Sequence, residues 1–209
     1  MTLALLLRHA ESAWNARHRW QGWADAPLSR SGRQAAADWS AHSPFSFHAA
    51  VASDLARAAE TASIIAAALA LSEAQPLRSL REQHQGAWTG LTRSEVKKRW
   101  PDRYRERPRQ PVGGETTADV LHRTWASLVF LHREYPGRCL LVVTHTGVIR
   151  EVERWLGCRA SPIPYLQGRW VELADSDHPA APTVIAREPT AGRHVSAVGL
   201  AVPLAGGSA

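Results

Sequence analysis

Two short apolar runs, Leu3-Ala-Leu-Leu-Leu and Cys139-Leu-Leu-Val-Val, each lead straight into a histidine, through Arg8-His9 and Thr144-His145. Nothing else in the chain limits the fold as strongly. An unbroken apolar run has no polar face to offer to water. It reads as a strand buried on both sides, in a parallel sheet covered by helices. In open sheets of that kind ligands sit beyond the carboxyl ends of the strands, which is where Arg8, His9 and His145 fall. A third strand, Ala49 to Ala52, gives way to Ser53-Asp-Leu-Ala-Arg57, a helix start with an arginine in its first turn.

The segments between these ends alternate in type. Ser29 is an N-cap for a helix running to about Ala41, and the Arg57 helix runs to about Ala70. Leu77 to Leu80 reads as a short strand leading to Glu82. Thr92-Arg-Ser-Glu95 is a capping box for a short helix that ends near Trp100-Pro101. After the Gly113-Gly114 break, an amphipathic helix spans Thr117 to Tyr135 and stops at Pro136-Gly137. A last helix follows from Thr146 to about Leu156. This order predicts an α/β three-layer sandwich, its central sheet mostly parallel and flanked by helices. Trp170-Val-Glu-Leu and Thr183-Val-Ile-Ala are expected as edge strands of the same sheet. Residues 1–209 read as one domain, with 206–209 disordered. Residues 13–28 read as an irregular loop whose Trp14, Trp20 and Trp23 either wall a pocket or pin the loop to the core. Residues 97–112, dense in Arg and Pro, read as a mobile segment, either a lid or a solvated loop.

The formal charge is +6, and Lys97 and Lys98 are the only lysines among the 25 basic residues. An arginine excess of this kind suits anionic partners. No apolar run approaches the roughly 20 residues that span a bilayer, and the first apolar run lacks the basic region and length of a signal peptide. A soluble, cytoplasmic protein without a membrane partner is the expectation. Two cysteines, Cys139 and Cys158, make no disulfide framework, and Cys139 reads as a buried core thiol. There is no His-Glu-x-x-His and no paired-cysteine motif. Most other histidines, among them His42, His48, His122 and His132, read as surface or helix-face residues. No metal and no cofactor are expected.

The strand ends, taken with Glu82 in Leu80-Arg-Glu82-Gln-His-Gln-Gly86-Ala-Trp88-Thr-Gly90, form a recognisable set. In this, the chain resembles the histidine phosphatase superfamily, also called phosphoglycerate mutase-like. The family's Arg-His-Gly motif appears here as Arg-His-Ala. Further matches run in family order through Trp14-Asn15, Gln21-Gly22, Asp25, Pro27-Leu28, Gly32, Gln34-Ala35, Ser53-Asp-Leu, Arg57, Thr61, Gly113-Gly-Glu-Thr116 and Thr144-His145, and cover roughly residues 1 to 157. Two positions depart from the pattern. Ala10 stands where the family has Gly, and Ala resists positive φ. Thr146 stands where the family often has Gly. The resemblance implies that His9 is the nucleophile and Glu82 the proton donor. Arg8, Arg57 and His145 would form the phosphate pocket, with Asn15, Gln21, Gly22 and Thr146 binding substrate and no metal taking part.

The residue chemistry agrees. A neutral imidazole is a competent nucleophile near neutral pH. Arginine grips phosphate oxygens with planar, bidentate hydrogen bonds that lysine cannot copy. A protonated His145 would add a third cationic donor, Asn15 an uncharged one, and a helix opening at Thr146 backbone N–H groups. The expected activity is hydrolysis of a small phosphorylated metabolite, a sugar phosphate or phosphoglycerate-type ester, through a phosphohistidine. A phosphoglycerate mutase is the alternative, and a non-catalytic anion- or nucleic-acid-binding protein is the third reading. The basic residues are not interleaved with the aromatic motifs of RNA-binding modules, so nucleic acid is not the expected partner. Monomer and homodimer are both compatible with the sequence.

Overall fold

β1 (Thr2–Arg8) is buried on both sides, as its composition requires. Leu5 and Leu7 pack with one apolar cluster, Ala4 and Leu6 with another. The computed structural model describes residues 1–158, 161–174 and 183–187. Within them the chain continues through α1 (Ala13–Ala16), α2 (Arg30–His42), β2 (Ala49–Ala52), α3 (Ala56–Ala68), β3 (Gln75–Pro76), α4 (Arg93–Arg99), α5 (Pro101–Arg105), α6 (Thr117–Glu134), β4 (Cys139–Thr144), α7 (Thr146–Trp155), β5 (Gly168–Ala174) and β6 (Thr183–Arg187). The sheet has six strands in the order β3-β2-β4-β1-β5-β6. The first four run parallel, and β5 pairs antiparallel with β1 and β6.

The alternation of side chains divides the core into two layers. On one face Leu5, Leu7, Ala50, Ala52, Leu141 and Val143 meet Ala36 of α2 and Ala58, Ala62 and Ile65 of α3. On the other Ala4, Leu6, Val51, Leu140, Val142 and Val171 meet Leu128 and Leu131 of α6 and Ile149 and Val152 of α7. This is the expected three-layer sandwich. Among the described residues no helix is long and apolar enough to cross a membrane.

Several local expectations are corrected. Leu77 to Leu80 is not a strand. β3 is only Gln75–Pro76, and Arg78–Leu80 is a 3₁₀ turn. Its partner β2 ends at Ala52, whose carbonyl takes a last bond from Leu77 N (2.7 Å), so nothing remains to pair with. The Trp170 strand is not at the edge, because β5 lies between β1 and β6. Residues 97–112 are partly helical. α4 reaches Arg99, and Pro101 opens α5 in the first-turn position that tolerates proline. His132 is buried rather than surface-facing, 3.2 Å from Thr2 Oγ1. Cys139 is half-buried, and that burial pushes its thiol pKa up, which leaves it unreactive. Residues 206–209 lie outside the described residues.

Candidate active site

Strand register assembles the site. β1 and β4 pair with Arg8 opposite Thr144, and His9 N donates to Thr144 O at 3.0 Å. His9 and His145 therefore leave adjacent parallel strands at one level, with ring centroids 5.1 Å apart and planes at 61°. On the other side of β4, Ser53 N bonds Val143 O (2.9 Å), and α3 rises from there with Arg57 in its first turn. Thr144 Oγ1 donates to Leu80 O (2.8 Å), which ties the segment carrying Glu82 to the same strand end.

The His9 ring is buried. Its Nδ1 lies 2.6 Å from Ala10 O, so Nδ1–H donates there and Nε2 keeps its lone pair. Burial, then the charges of Arg57 and Arg8, hold its pKa well below the usual histidine value. Burial, Arg57 and His9 act on His145 in the same sense. A pKa lowered in this way makes the His145 ring a neutral imidazole at neutral pH, not the cationic donor it would be if protonated. Its nitrogens make no hydrogen bond among the described residues, and neither do Arg8 Nε and Arg57 Nε. Buried polar groups are nearly always bonded, so these orphans beside His9 are groups that a ligand can satisfy.

Both arginines are held from behind. Arg57 is 1% exposed and donates to Gly22 O (2.8 Å) and Ala24 O (2.9 Å). Burial lowers its pKa to about 10, which leaves it charged at neutral pH. Arg8 donates to Ile163 O (2.7 Å) and lies over the Tyr165 ring, 3.9 Å from its centroid. Glu82 Oε1 accepts from Gln83 N (2.9 Å) and Oε2 from Gly147 N (3.3 Å). A Cβ on Gly147 would fall deep inside contact with Glu82 Oε1, so only glycine allows this approach.

All these groups except the fully buried His145 line one cleft of about 1160 Å³. Asn15, Gln21, Gly22 and Thr146 line it too. Asn15 Oδ1 accepts from Ser12 N (3.1 Å), leaving its amide N–H groups for a ligand. Gln21 Oε1 accepts from Ser12 Oγ (2.7 Å). Gly22 has φ +51°, and its carbonyl serves Arg57, so its part is to shape the pocket. Ala10 has no left-handed backbone, and its buried methyl joins the core, so the departure from Gly introduces no strain. The tryptophan loop does both of its expected jobs. Trp20 lines the cleft against Trp88, while Trp23 Nε1 donates to Glu82 O (2.7 Å).

Other functional residues escaped the sequence reading. Arg123 of α6 donates to the carbonyls of Ser79, Arg81 and Glu82 and pairs with Glu115 at 2.9 Å. Glu115 in turn accepts from His84 N (2.8 Å), so the pair clamps the Glu82 segment. The Gly-Gly-Glu-Thr motif was the only sequence signal of that clamp. Arg107 and Arg109 of the Arg-rich segment line the cleft with Arg17, Arg93 and Arg150, whereas Arg103 and Arg105 face solvent in pairs with Glu106 and Asp102.

The profile of the histidine phosphatase superfamily (branch 1) matches residues 4–175. This chain belongs to the histidine phosphatase superfamily. Its relatives in that superfamily carry out more than one reaction. The 2,3-bisphosphoglycerate-dependent phosphoglycerate mutase of Methylobacterium radiotolerans is 32% identical over 180 residues, spanning 80% of this chain and 85% of the relative. The metal-independent phosphoserine phosphatase of Arabidopsis thaliana is 32% identical over 160 residues, spanning 73% and 67%. The solved structure of Bacillus stearothermophilus YhfR matches this chain with a TM-score of 0.74 at 29% identity, covering 87% of this chain and 96% of that one.

Proposed function

We propose that this histidine phosphatase superfamily protein hydrolyses a small phosphomonoester through a phosphohistidine at His9, without a metal. The orphaned groups carry the reading: Arg8 Nε, Arg57 Nε and the two ring nitrogens of His145, one of them an N–H donor, have no hydrogen-bond partner among the described residues, and the His145 ring lies 5.1 Å from that of His9. A phosphoryl group supplies three oxygens to them, and positioning and neutralising that group is most of what phosphoryl transfer requires.

In the first step His9 Nε2 attacks phosphorus, an N–P bond forms, and the ester O–P bond breaks. The departing alkoxide takes the proton of Glu82 in its acid form. In the second step water attacks the phosphohistidine, gives its proton to the Glu82 carboxylate, and inorganic phosphate leaves. His145, neutral in the unliganded site, donates one ring N–H to the bound group. With the buried Arg57 and the half-buried Arg8 set against one carboxylate, the pocket disfavours a divalent cation. The arginines along the rim, among them Arg17, Arg93, Arg107, Arg109 and Arg150, favour a small ester that carries anionic groups besides its phosphate.

A mutase would use the same pocket and return the phosphoryl group to its substrate. The test is incubation with 3-phosphoglycerate and a trace of bisphosphoglycerate, with and without excess EDTA. Free phosphate released equally in both supports hydrolysis without a metal. Rapid 2-phosphoglycerate without free phosphate makes the protein a mutase, and loss of turnover in EDTA that a divalent ion restores makes the reaction metal-dependent. Glu82→Gln is expected to fail on alkyl phosphates while releasing a burst of nitrophenol from p-nitrophenyl phosphate and accumulating acid-labile, base-stable phosphoenzyme.

A further inference from the structure

Arg8 is the phosphate-facing arginine with the weaker protein support. Arg57 has two carbonyls behind it, while Arg8 has one, Ile163 O. What completes its support is a strap, residues 162–167, that crosses the end of β1. Leu166 N donates to Arg8 O (3.0 Å), Arg8 N to Gln167 O (2.9 Å), and Gln167 N to Pro164 O (3.2 Å). Leu166 takes the left-handed conformation, φ +57°, in the middle of the strap. The bend puts the preceding residue, Tyr165, face to face with the Arg8 guanidinium at 3.9 Å and 6.4 Å from the His9 ring. Tyr165 is half-buried in the cleft wall.

We propose that Tyr165 is a positioning residue. Its ring fixes the plane of the Arg8 guanidinium, so that Nε and the terminal nitrogen not bonded to Ile163 O meet the phosphoryl oxygens together. The physics is that of a planar cation over an aromatic face. The contact is worth most when partly desolvated, and it removes the rotation about the last bonds of the arginine that would otherwise be lost on binding. Burial lowers the pKa of Arg8, and its neighbours Tyr165 and Glu82 oppose that shift. The stacking itself, with the guanidinium carbon 3.9 Å from the ring centroid, needs only the ring, so phenylalanine should keep it and leucine should not.

The inference rests on the reading that Arg8 holds the phosphoryl group, and a double-mutant cycle on the whole protein separates the two. The probe is orthovanadate, with affinity read by calorimetry and folding by melting temperature. Tyr165→Leu is expected to weaken vanadate binding about 3- to 30-fold, the range of a cation–π contact. Tyr165→Phe should remain within about 3-fold of the parent by the same measure. In an Arg8→Lys background Tyr165→Leu should cost under about 2-fold, because two residues that act through one contact are not additive. An equal loss in both backgrounds, no loss in the parent, or failure of phenylalanine to restore affinity would overturn the role of Tyr165. If the unmutated protein does not bind vanadate at all, the phosphoryl-pocket reading itself is overturned, and this one with it.

Discussion

Replacing Gly147 with alanine should separate stability from catalysis. The added methyl would overlap Glu82 Oε1 and come within 3.1 Å of its Cδ, against the 3.4 Å at which ordinary contact begins. The obstacle is the end of a side chain, so the backbone of α7 need not move. The carboxylate withdraws instead, by more than an ångström, and gives up its bonds to Gly147 N and Gln83 N. Misplacing a catalytic group by about 1 Å costs roughly 100-fold, and general acid catalysis is worth roughly 10² to 10⁴. Turnover of glycerol 3-phosphate should therefore fall about 100-fold. The first-step burst on p-nitrophenyl phosphate should change less than about 3-fold, since nitrophenolate leaves without a proton. Meanwhile Gly147 is the second residue of α7, where alanine is favoured over glycine by less than the roughly 1 kcal/mol of a helix interior, so the melting temperature should hold. Stopped-flow bursts, phosphate release and a melting curve measure all three. Equal losses on the two substrates, or full activity on both, would refute the assignment of Glu82 as an acid held by Gly147.

Other tests reach other parts of the site. His9 and His145 have pKa values well below 6.5 when folded, so the unfolded chain binds more protons below that pH. Their contribution to stability is complete above about 6.5 and is lost as the pH falls toward the folded values. Melting in phosphate-free buffer should show a decline from pH 7 to 5.5 that shrinks in His145→Asn, and an unchanged slope would contradict the burial of a neutral ring. Arg123→Met removes the clamp on the Glu82 segment and leaves Glu115, 17% exposed, without its cation; denaturation should show a loss of about 2–4 kcal/mol. Arg107→Ala with Arg109→Ala should raise KM for a multiply anionic ester more than for p-nitrophenyl phosphate, whereas Arg103→Ala with Arg105→Ala should not; a reversed pattern would put the wrong arginines at the cleft.

The strand ends were legible because an abrupt change from apolar to ionic residues marks both a strand terminus and a ligand. Arg8, His9, Arg57 and His145 all lie at such changes. The rest of the site has no comparable signal. Arg123 sits in an amphipathic helix, where an arginine ordinarily reads as part of the solvated face; its three carbonyl acceptors come from a turn some forty residues earlier. Gly147 lies inside a helix and is needed for an approach by a distant side chain. Tyr165 belongs to a strap with no period at all. The Leu77–Leu80 segment has a strand's composition, but β2 ended too soon to pair with it, and that is a fact of tertiary structure.

The position of β1 in the sheet has a consequence for synthesis. Its two hydrogen-bonding neighbours are β4, from Cys139, and β5, from Gly168. At roughly 5–20 residues per second, a ribosome takes on the order of ten seconds to make the chain separating β1 from β4. Throughout that interval β1, with its run of four leucines and an alanine, has neither of these neighbours to pair with, although α2, β2 and α3 are already made. His9 and His145 share the delay, because they are brought together by the pairing of β1 with β4. No native-like pocket exists until that pairing forms, so a growing chain holds an exposed aggregation-prone segment and no activity until late in its translation.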